Sequence, residues 1–372
     1  MPAAFVPAVI AGAVVLAPLS AGALTPLPDK TPAEVLAMAA SHQVHALSGK
    51  IDQDSELGLP QLPRGSATSG PGATTFLELL GSSHTARVYA DGPTKVRVQV
   101  MDELAERDFV RNGSEAWLYN SRDNTATHVT GLEMLKRHGM KHDVGTRQGS
   151  PTPEALAQRL LAAADSSSTV VLGPEVRIAG RSAYQLVLTP KTSNTLVASA
   201  AVYVDGETGL PLGAEVKARN QQEPAFKVAF TELELSAPDA ALFQFTPPEG
   251  AKVEEIGLAS DMPVSPDAKL SPDSRLSPDS RLPVPKPGHT SPDAYPGGAR
   301  MTGSGWETVV ELPAAPIRQV LDSTPLLAQA AVPVAGGRLL STSLLNILLT
   351  DDGRAFVGSV PVERLQAVAT AP

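Results

Sequence analysis

The 372-residue chain contains no cysteine. Disulfides, thiolate metal sites, cysteine nucleophiles and a lipid-bearing N-terminal cysteine are therefore excluded. Export without cysteine is ordinary, so this absence does not place the chain in the cytoplasm. Aromatic residues are scarce, at 4%. Valine, leucine, alanine and threonine must build the core, which suits β structure better than a helical bundle. Basic residues are outnumbered, 30 against 39 acidic, for a net charge of −9. With no basic stripe to neutralise phosphates, a nucleic-acid partner is not expected.

Catalytic signatures are missing too. There is no Gly-x-Ser-x-Gly elbow and no Walker loop. Gly303-Ser-Gly305 lacks the helix and lysine that would make it a phosphate cradle. His138 and His142 have the i, i+4 spacing of two ligands on a helix, but Gly139 lies between them. No glutamate follows His138 as a zincin requires, so they read as loop histidines. Asp351-Asp352 and Glu254-Glu255 are adjacent carboxylates; neighbours on a strand point to opposite faces and form no acid/base pair. No catalytic, metal or cofactor site is expected. Binding is favoured over catalysis, and the chain is not expected to be an enzyme.

What is present begins with an uncharged stretch, residues 1–28. It suits a signal peptide cleaved after Ala21-Gly-Ala23, or an uncleaved membrane anchor. Thr31, Pro32 and Glu34 then form a capping-box start. A helix is expected over 31–47, with Leu36, Ala40, Val44 and Leu47 on one face. Alternation follows in a long series of strands at 48–57, 76–80, 84–90, 95–101, 107–111, 115–120 and 125–130. Val96, Val98 and Val100 share one face, while Lys95, Arg97 and Gln99 share the other. Asn112-Gly113 signals a hairpin. Helical pieces are expected at 131–139 and 152–165. Strands resume at 169–172, 175–179, 183–189, 198–204, 211–218 and 225–235.

Residues 256–300 change character. Proline is dense and Leu270-Ser-Pro-Asp-Ser-Arg275 repeats at once as 276–281, which reads as a disordered, partly polyproline linker. Residues 301–372 regain pattern. Strands are expected at 306–312, 338–350 and 354–361, a helix at 316–331 interrupted by Pro325, and a short helix from Val362.

Three segments carry a resemblance: the capped helix before Leu47-Ser-Gly-Lys-Ile51; Ala201-Val-Tyr-Val-Asp205 with its Gly206-Glu-Thr-Gly-Leu-Pro211 turn; and Phe243-Gln-Phe-Thr-Pro-Pro-Glu-Gly-Ala251. With them, residues 30–255 resemble the superfamily of LolA-type lipoprotein carriers, RseB/MucB-type envelope-stress regulators and mycobacterial lipid-binding lipoproteins. The composition, with many Ala and Pro, Arg favoured over Lys and few Phe, suits an actinobacterial-type member. The resemblance implies an α+β chain: an open antiparallel β half-barrel covered by short helices, with an apolar cleft for acyl chains.

The expected organisation is a signal peptide or anchor at 1–28, a LolA-like half-barrel at 29–255, the linker at 256–300 and a small α+β region at 301–372. Period-two alternation nominates the cleft wall. On the first strands it gives Leu77, Leu79, Val96, Val98, Val100, Trp117 and Tyr119. On the later strands it gives Leu186, Leu188, Val202, Phe226, Val228 and Phe230. Trp117 and Tyr119 also read as plain core. The expected function is an extracytoplasmic lipid carrier or sensor, anchored or secreted, that holds acyl chains or lipoproteins. The alternative is an RseB-like regulator of an anti-sigma factor or other envelope protein.

Overall fold

The structure, a computed structural model, describes residues 27–59, 81–101, 105–132, 152–153, 167–257, 299–323 and 325–371. Several expectations lie outside those residues: the leader or anchor, the strand at 76–80 with Leu77 and Leu79, and the histidine pair. So do nearly all of the two helical pieces at 131–139 and 152–165, and the body of the linker. Among the described residues no helix is long and apolar enough to cross a membrane.

Helix α1 (Pro32–Ala40) starts as its sequence dictates. The Thr31 side chain accepts from the Glu34 amide, and the Glu34 carboxylate accepts from the Thr31 amide. The helix is shorter than expected. It stops at Ser41, and Leu47 belongs to the following strand rather than to a helical face. The reason is competition: residues from Ala46 onward gain a full antiparallel ladder with 84–91, beginning Ala46↔Asp91. The face that α1 buries is Val35 and Ala39.

The strands are β1 (Ala46–Ser55), β2 (His84–Asp91), β3 (Lys95–Met101), β4 (Glu106–Asn112), β5 (Glu115–Asn120), β6 (Thr125–Thr130), β7 (Ser168–Leu172), β8 (Val176–Ile178), β9 (Arg181–Pro190), β10 (Val197–Asp205), β11 (Pro211–Ala218), β12 (Phe226–Glu234) and β13 (Lys252–Gly257). They form one thirteen-stranded sheet in the order β13-β6-β5-β4-β3-β2-β1-β12-β11-β10-β9-β7, with β8 also on β9. The two outer strands do not pair, so the sheet is open, as a half-barrel requires. Strand β1 lies at its centre, against β2 on one side and β12 on the other. Lys50 faces Glu232 and Ile51 faces Phe230, so Thr231 is an extra residue and bulges β12 against β1. Gly49 is needed there: a Cβ would lie 2.8 Å from the Phe230 ring.

All ladders are antiparallel except β13 on β6. Nothing in the residue pattern at 252–257 signals this last strand. A parallel neighbour needs a crossover. It is made by residues 235–251, which run over one face of the sheet through a 3-10 turn (Ala240–Phe243). Phe243 is 1% exposed beneath this strap, and the Leu242 carbonyl accepts from Arg97.

A second sheet follows, built from β14 (Arg300–Thr302), β15 (Val309–Pro313), β16 (Val332–Val334), β17 (Gly337–Ser341), β18 (Asn346–Thr350) and β19 (Arg354–Gly358). Its order is β14-β15-β19-β18-β17-β16. Helices α2 (Ala315–Ser323) and α3 (Pro325–Ala330) bring Leu321 and Leu327 onto Leu340, Leu349 and Ala355. Helix α4 (Val362–Thr370) brings Leu365 onto Leu339, Leu348 and Phe356 on the other face. The expected strand at 338–350 is a hairpin, turned at 342–345 by Thr342, whose hydroxyl accepts from the Leu345 amide and donates to its carbonyl. The expected strand at 306–312 begins only at Val309, because Gly305–Glu307 form a 3-10 turn.

This second unit caps one end of the large sheet. The Ser359 carbonyl accepts from the Thr195 hydroxyl and the Leu196 amide, at 2.7 and 2.8 Å. The Ser343 amide donates to the Leu57 carbonyl, and Trp306 Nε1 to Ser168 Oγ. Thr192 donates to Glu307.

Candidate functional site

Cross-strand register assigns every side chain of the large sheet to one of two faces. The rows run Val98–Phe109–Leu118–Thr127 across β3 to β6, and Ile51–Phe230 and Ile51–Ala86 about the centre. They continue as Val228–Ala214–Val202–Leu186–Leu172 toward the far edge. Helix α1 packs on this face, which is called the helix side below. Val35 and Ala39 meet Leu186, Leu188, Val202 and Ala214. Tyr184 ties the same region to the chain before α1 by donating to the Pro28 carbonyl at 2.6 Å. Gly209, in the left-handed region, lets the β10–β11 turn approach the Met38 carbonyl.

Eleven of the thirteen nominated residues are therefore placed, and nine share the helix side: Val96, Val98, Val100, Leu186, Leu188, Val202, Phe226, Val228 and Phe230. They fall into two apolar clusters. Leu186, Leu188 and Val202 lie in the cluster that α1 covers. Val98, Val100, Phe226, Val228 and Phe230 lie in the other, with Leu47, Ile51, Ala86 and Val88. Among the described residues no helix contributes a side chain to that second cluster. Val96 packs at its margin and is half-buried.

Trp117 and Tyr119 are a correction. Trp117 stands opposite Val110 and His128, and Tyr119 opposite Asp108 and Ala126. That is the other face, under the strap. Phe245 packs on both rings, at 5.5 and 5.6 Å between centroids, and His128 stacks on Trp117 at 4.1 Å. Beside them Arg97 and Asp108 form a two-bond ion pair, with the Asp108 side chain 3% exposed. Burial raises the Asp108 carboxyl above its ordinary value, and Arg97 opposes that shift. These groups anchor the strap. They do not line the same wall as Val98.

The residues that do continue the wall are Phe109, Leu118 and Val129, each half-buried. On β4 and β5 both faces carry large apolar residues, so alternation alone could not choose between Trp117 and Leu118. The usable signal was parity. A two-residue turn at Gly113-Ser114 fixes Arg111 opposite Ala116, and hence Phe109 opposite Leu118.

The same parity places Arg107 and Arg111 on the helix side, at either end of Phe109. Burial pushes the Arg111 guanidinium below its ordinary value. Its Nε donates to the Gly113 carbonyl at 3.3 Å. Among the described residues no carboxylate pairs with it. The nearby acids face the other way: Asp91 pairs with Lys95, and Glu115 and Glu255 flank His128.

No group of metal-ligating residues occurs among the described residues. What the helix side offers is an apolar wall with cationic margins.

No protein-family model matches the sequence, and no curated protein matches it. In fold the chain is similar to Pseudomonas aeruginosa MucB, solved in complex with MucA. The identity is 17% over 91% of this chain and 95% of that one, with a TM-score of 0.41. LprF from Mycobacterium bovis is similar at 10% identity, over 61% of this chain and all of that one, with a TM-score of 0.30. A LolA-superfamily protein from Nitrosomonas europaea is similar at 11%, over 58% and 99%, with a TM-score of 0.24.

Proposed function

We propose that this chain is an extracytoplasmic binding protein that holds lipid acyl chains on the helix side of its large sheet, with no catalytic step. One observation carries the reading. The helix side bears the cluster that α1 covers and most strand residues of a second cluster, which Tyr203 and Ala183 join from the other face and to which no described helix contributes. The wall from Val96 through Phe109 and Leu118 to Val129 remains partly open to solvent. An acyl chain laid there gains about 0.8 kcal/mol per buried methylene. The wall is long enough. From Lys95 to Met101 along β3 the rise is about 20 Å at roughly 3.3 Å per residue. One leaflet's hydrocarbon is about 15 Å thick, half of the bilayer core.

The test is native mass spectrometry of the purified chain before and after organic extraction, followed by uptake of a fluorescent fatty acid. Loss of a lipid mass and saturable uptake are expected. A compact protein that releases nothing and takes up nothing would remove the reading.

A second reading has its own observation. The two edge strands of the small sheet each expose an apolar side chain, Met301 on β14 at 50% and Val332 on β16 at 49%. An unpaired edge accepts a partner strand. An envelope protein bound there would make the chain a regulator with lipid as its input. Met301→Glu and Val332→Glu should then abolish partner binding and leave lipid uptake intact.

A further inference from the structure

We infer that the ligand is an anionic amphiphile whose charged head is held by Arg111, with its chain running along β3–β6 toward the end closed by Leu344. The inference rests on the acyl-chain reading above and adds the head-group chemistry and the direction of binding.

The argument is one of position. Arg111 is on the helix side, in the row Leu47–Ala90–Val96–Arg111–Ala116. This row lies at the end of the sheet away from the second unit. The opposite end is the row Ser55–Phe226–Val216–Ala200–Leu188, beside which Leu57 and Glu56 accept from Ser343. There Leu344 enters the same apolar cluster that holds Val98 and Phe230, and Trp306 enters the α1-covered one. One end of the wall is thus stopped by apolar side chains, and the other carries Arg111, while Arg107, nearer the stopped end, is engaged within the protein.

Among the described residues Arg111 has no counter-charge. The described carboxylates nearest to it project from the other face and are engaged there, Asp91 with Lys95 and Glu115 beside His128. A half-buried guanidinium beside Val96 and Ala116 loses water without gaining an ion pair. A carboxylate or phosphate arriving with an apolar tail supplies that pair, and the guanidinium fork suits both groups. A free anion lacks the tail, and a neutral amphiphile lacks the charge. Hexadecanoate and inorganic phosphate separate the two sources.

The experiment measures binding to the full chain of hexadecanoate, of hexadecanol with the same chain and no charge, and of inorganic phosphate as a competitor. Hexadecanoate is expected to bind at least tenfold more tightly than hexadecanol, and millimolar phosphate to compete only weakly. Arg111→Gln should bring the two amphiphiles within about twofold of one another without weakening hexadecanol. Arg111→Lys should restore most of the preference. Circular dichroism and urea midpoints confirm that the variants are folded.

Equal binding of both amphiphiles to the unaltered chain would overturn the head-group assignment and leave the acyl-chain reading standing. So would an Arg111→Gln variant that weakens both equally. If phosphate displaces hexadecanoate completely, the site is one for free anions and the amphiphile assignment is overturned. If neither amphiphile binds, both the assignment and the acyl-chain reading fall.

Discussion

The two sheets of this molecule solve the same problem differently. Both have apolar residues on their strands and a face that must leave water. The small sheet is finished by its own chain, with α2 and α3 on one side and α4 on the other, and Phe356 and Leu348 at its centre are fully buried. The large sheet has α1 over β9–β11 and the strap over β3–β6 on the opposite side, while the helix side from β12 to β6 receives no described helix. Closing both faces makes a structural unit. Closing them unequally leaves a surface that something else can complete.

That contrast can be broken most sharply by truncating one aromatic on each sheet. Phe356→Ala should cost about 3–5 kcal/mol, the usual loss for a buried ring, read from urea unfolding of the second unit. Fatty-acid uptake by the molecules still folded should be unchanged. Phe109→Ala, at a half-buried position, should cost only about 1 kcal/mol, as most moderate substitutions do, yet lower uptake severalfold. Large uptake loss with Phe356→Ala and none with Phe109→Ala would reverse the roles of the two sheets.

The strap side offers the next effect. Arg97→Ala leaves Asp108 buried without its counter-charge, a loss of about 3–5 kcal/mol. The folded Asp108 carboxyl already titrates above its ordinary value because of burial, and without Arg97 it should titrate higher still. A raised carboxyl stabilises the fold below its unfolded value and loses that contribution as pH rises through the folded one. The deficit of Arg97→Ala should therefore be greatest at neutral pH and shrink as the solution is acidified. A deficit that does not change with pH would mean that Arg97 serves through packing alone.

Much of this was legible in the sequence, and its failures have physical causes. Val96, Val98 and Val100 alternate with Lys95, Arg97 and Gln99, so a one-sided strand could be read directly and was found on the expected residues. The strand–turn–strand around Asp205-Gly206 was equally plain. Asp205 accepts from Arg181 and Thr208 there. On β4 and β5 the pattern carries no direction, because Phe109 and Val110 are both apolar and Trp117, Leu118 and Tyr119 run consecutively. Only pairing decides the face, and pairing is a non-local fact. Strand β13 escaped for a related reason. Lys252, Glu254 and Glu255 have the composition of a solvated segment, and a parallel ladder with β6 holds them in the sheet all the same.

The Asp205 turn lies at the end of the large sheet that the second unit does not cap, and there its own side chains must secure it. Burial works to raise the Asp205 carboxyl, but its bonds from Arg181 and Thr208 prevail and hold it below the ordinary value. Stabilisation from a lowered carboxyl is present above the unfolded value of about 3.9 and disappears as pH falls through the folded one. Asp205→Asn should cost about 2 kcal/mol at neutral pH, the scale of a hydrogen bond to a charged group. The two proteins should converge in stability below the folded value. At the capped end, Leu344→Ala should show no such convergence, since no titrating group is involved in its packing.

The smallest effect bears on the divide within the helix side. Thr31→Ala removes the acceptor for the Glu34 amide and one of the two donors to the Glu34 carboxylate, the Thr31 amide remaining. The loss should be about 1 kcal/mol, a typical cap, or about a fivefold rise in local opening. Hydrogen exchange should quicken at the amides of α1 and remain slow in β9 and β10. If α1 is only the cover of a finished cluster, fatty-acid affinity should not move. A gain in affinity or in chain number per protein would mean that ligand also enters beneath α1, and the boundary between the covered and uncovered halves would then be one of stability rather than of function.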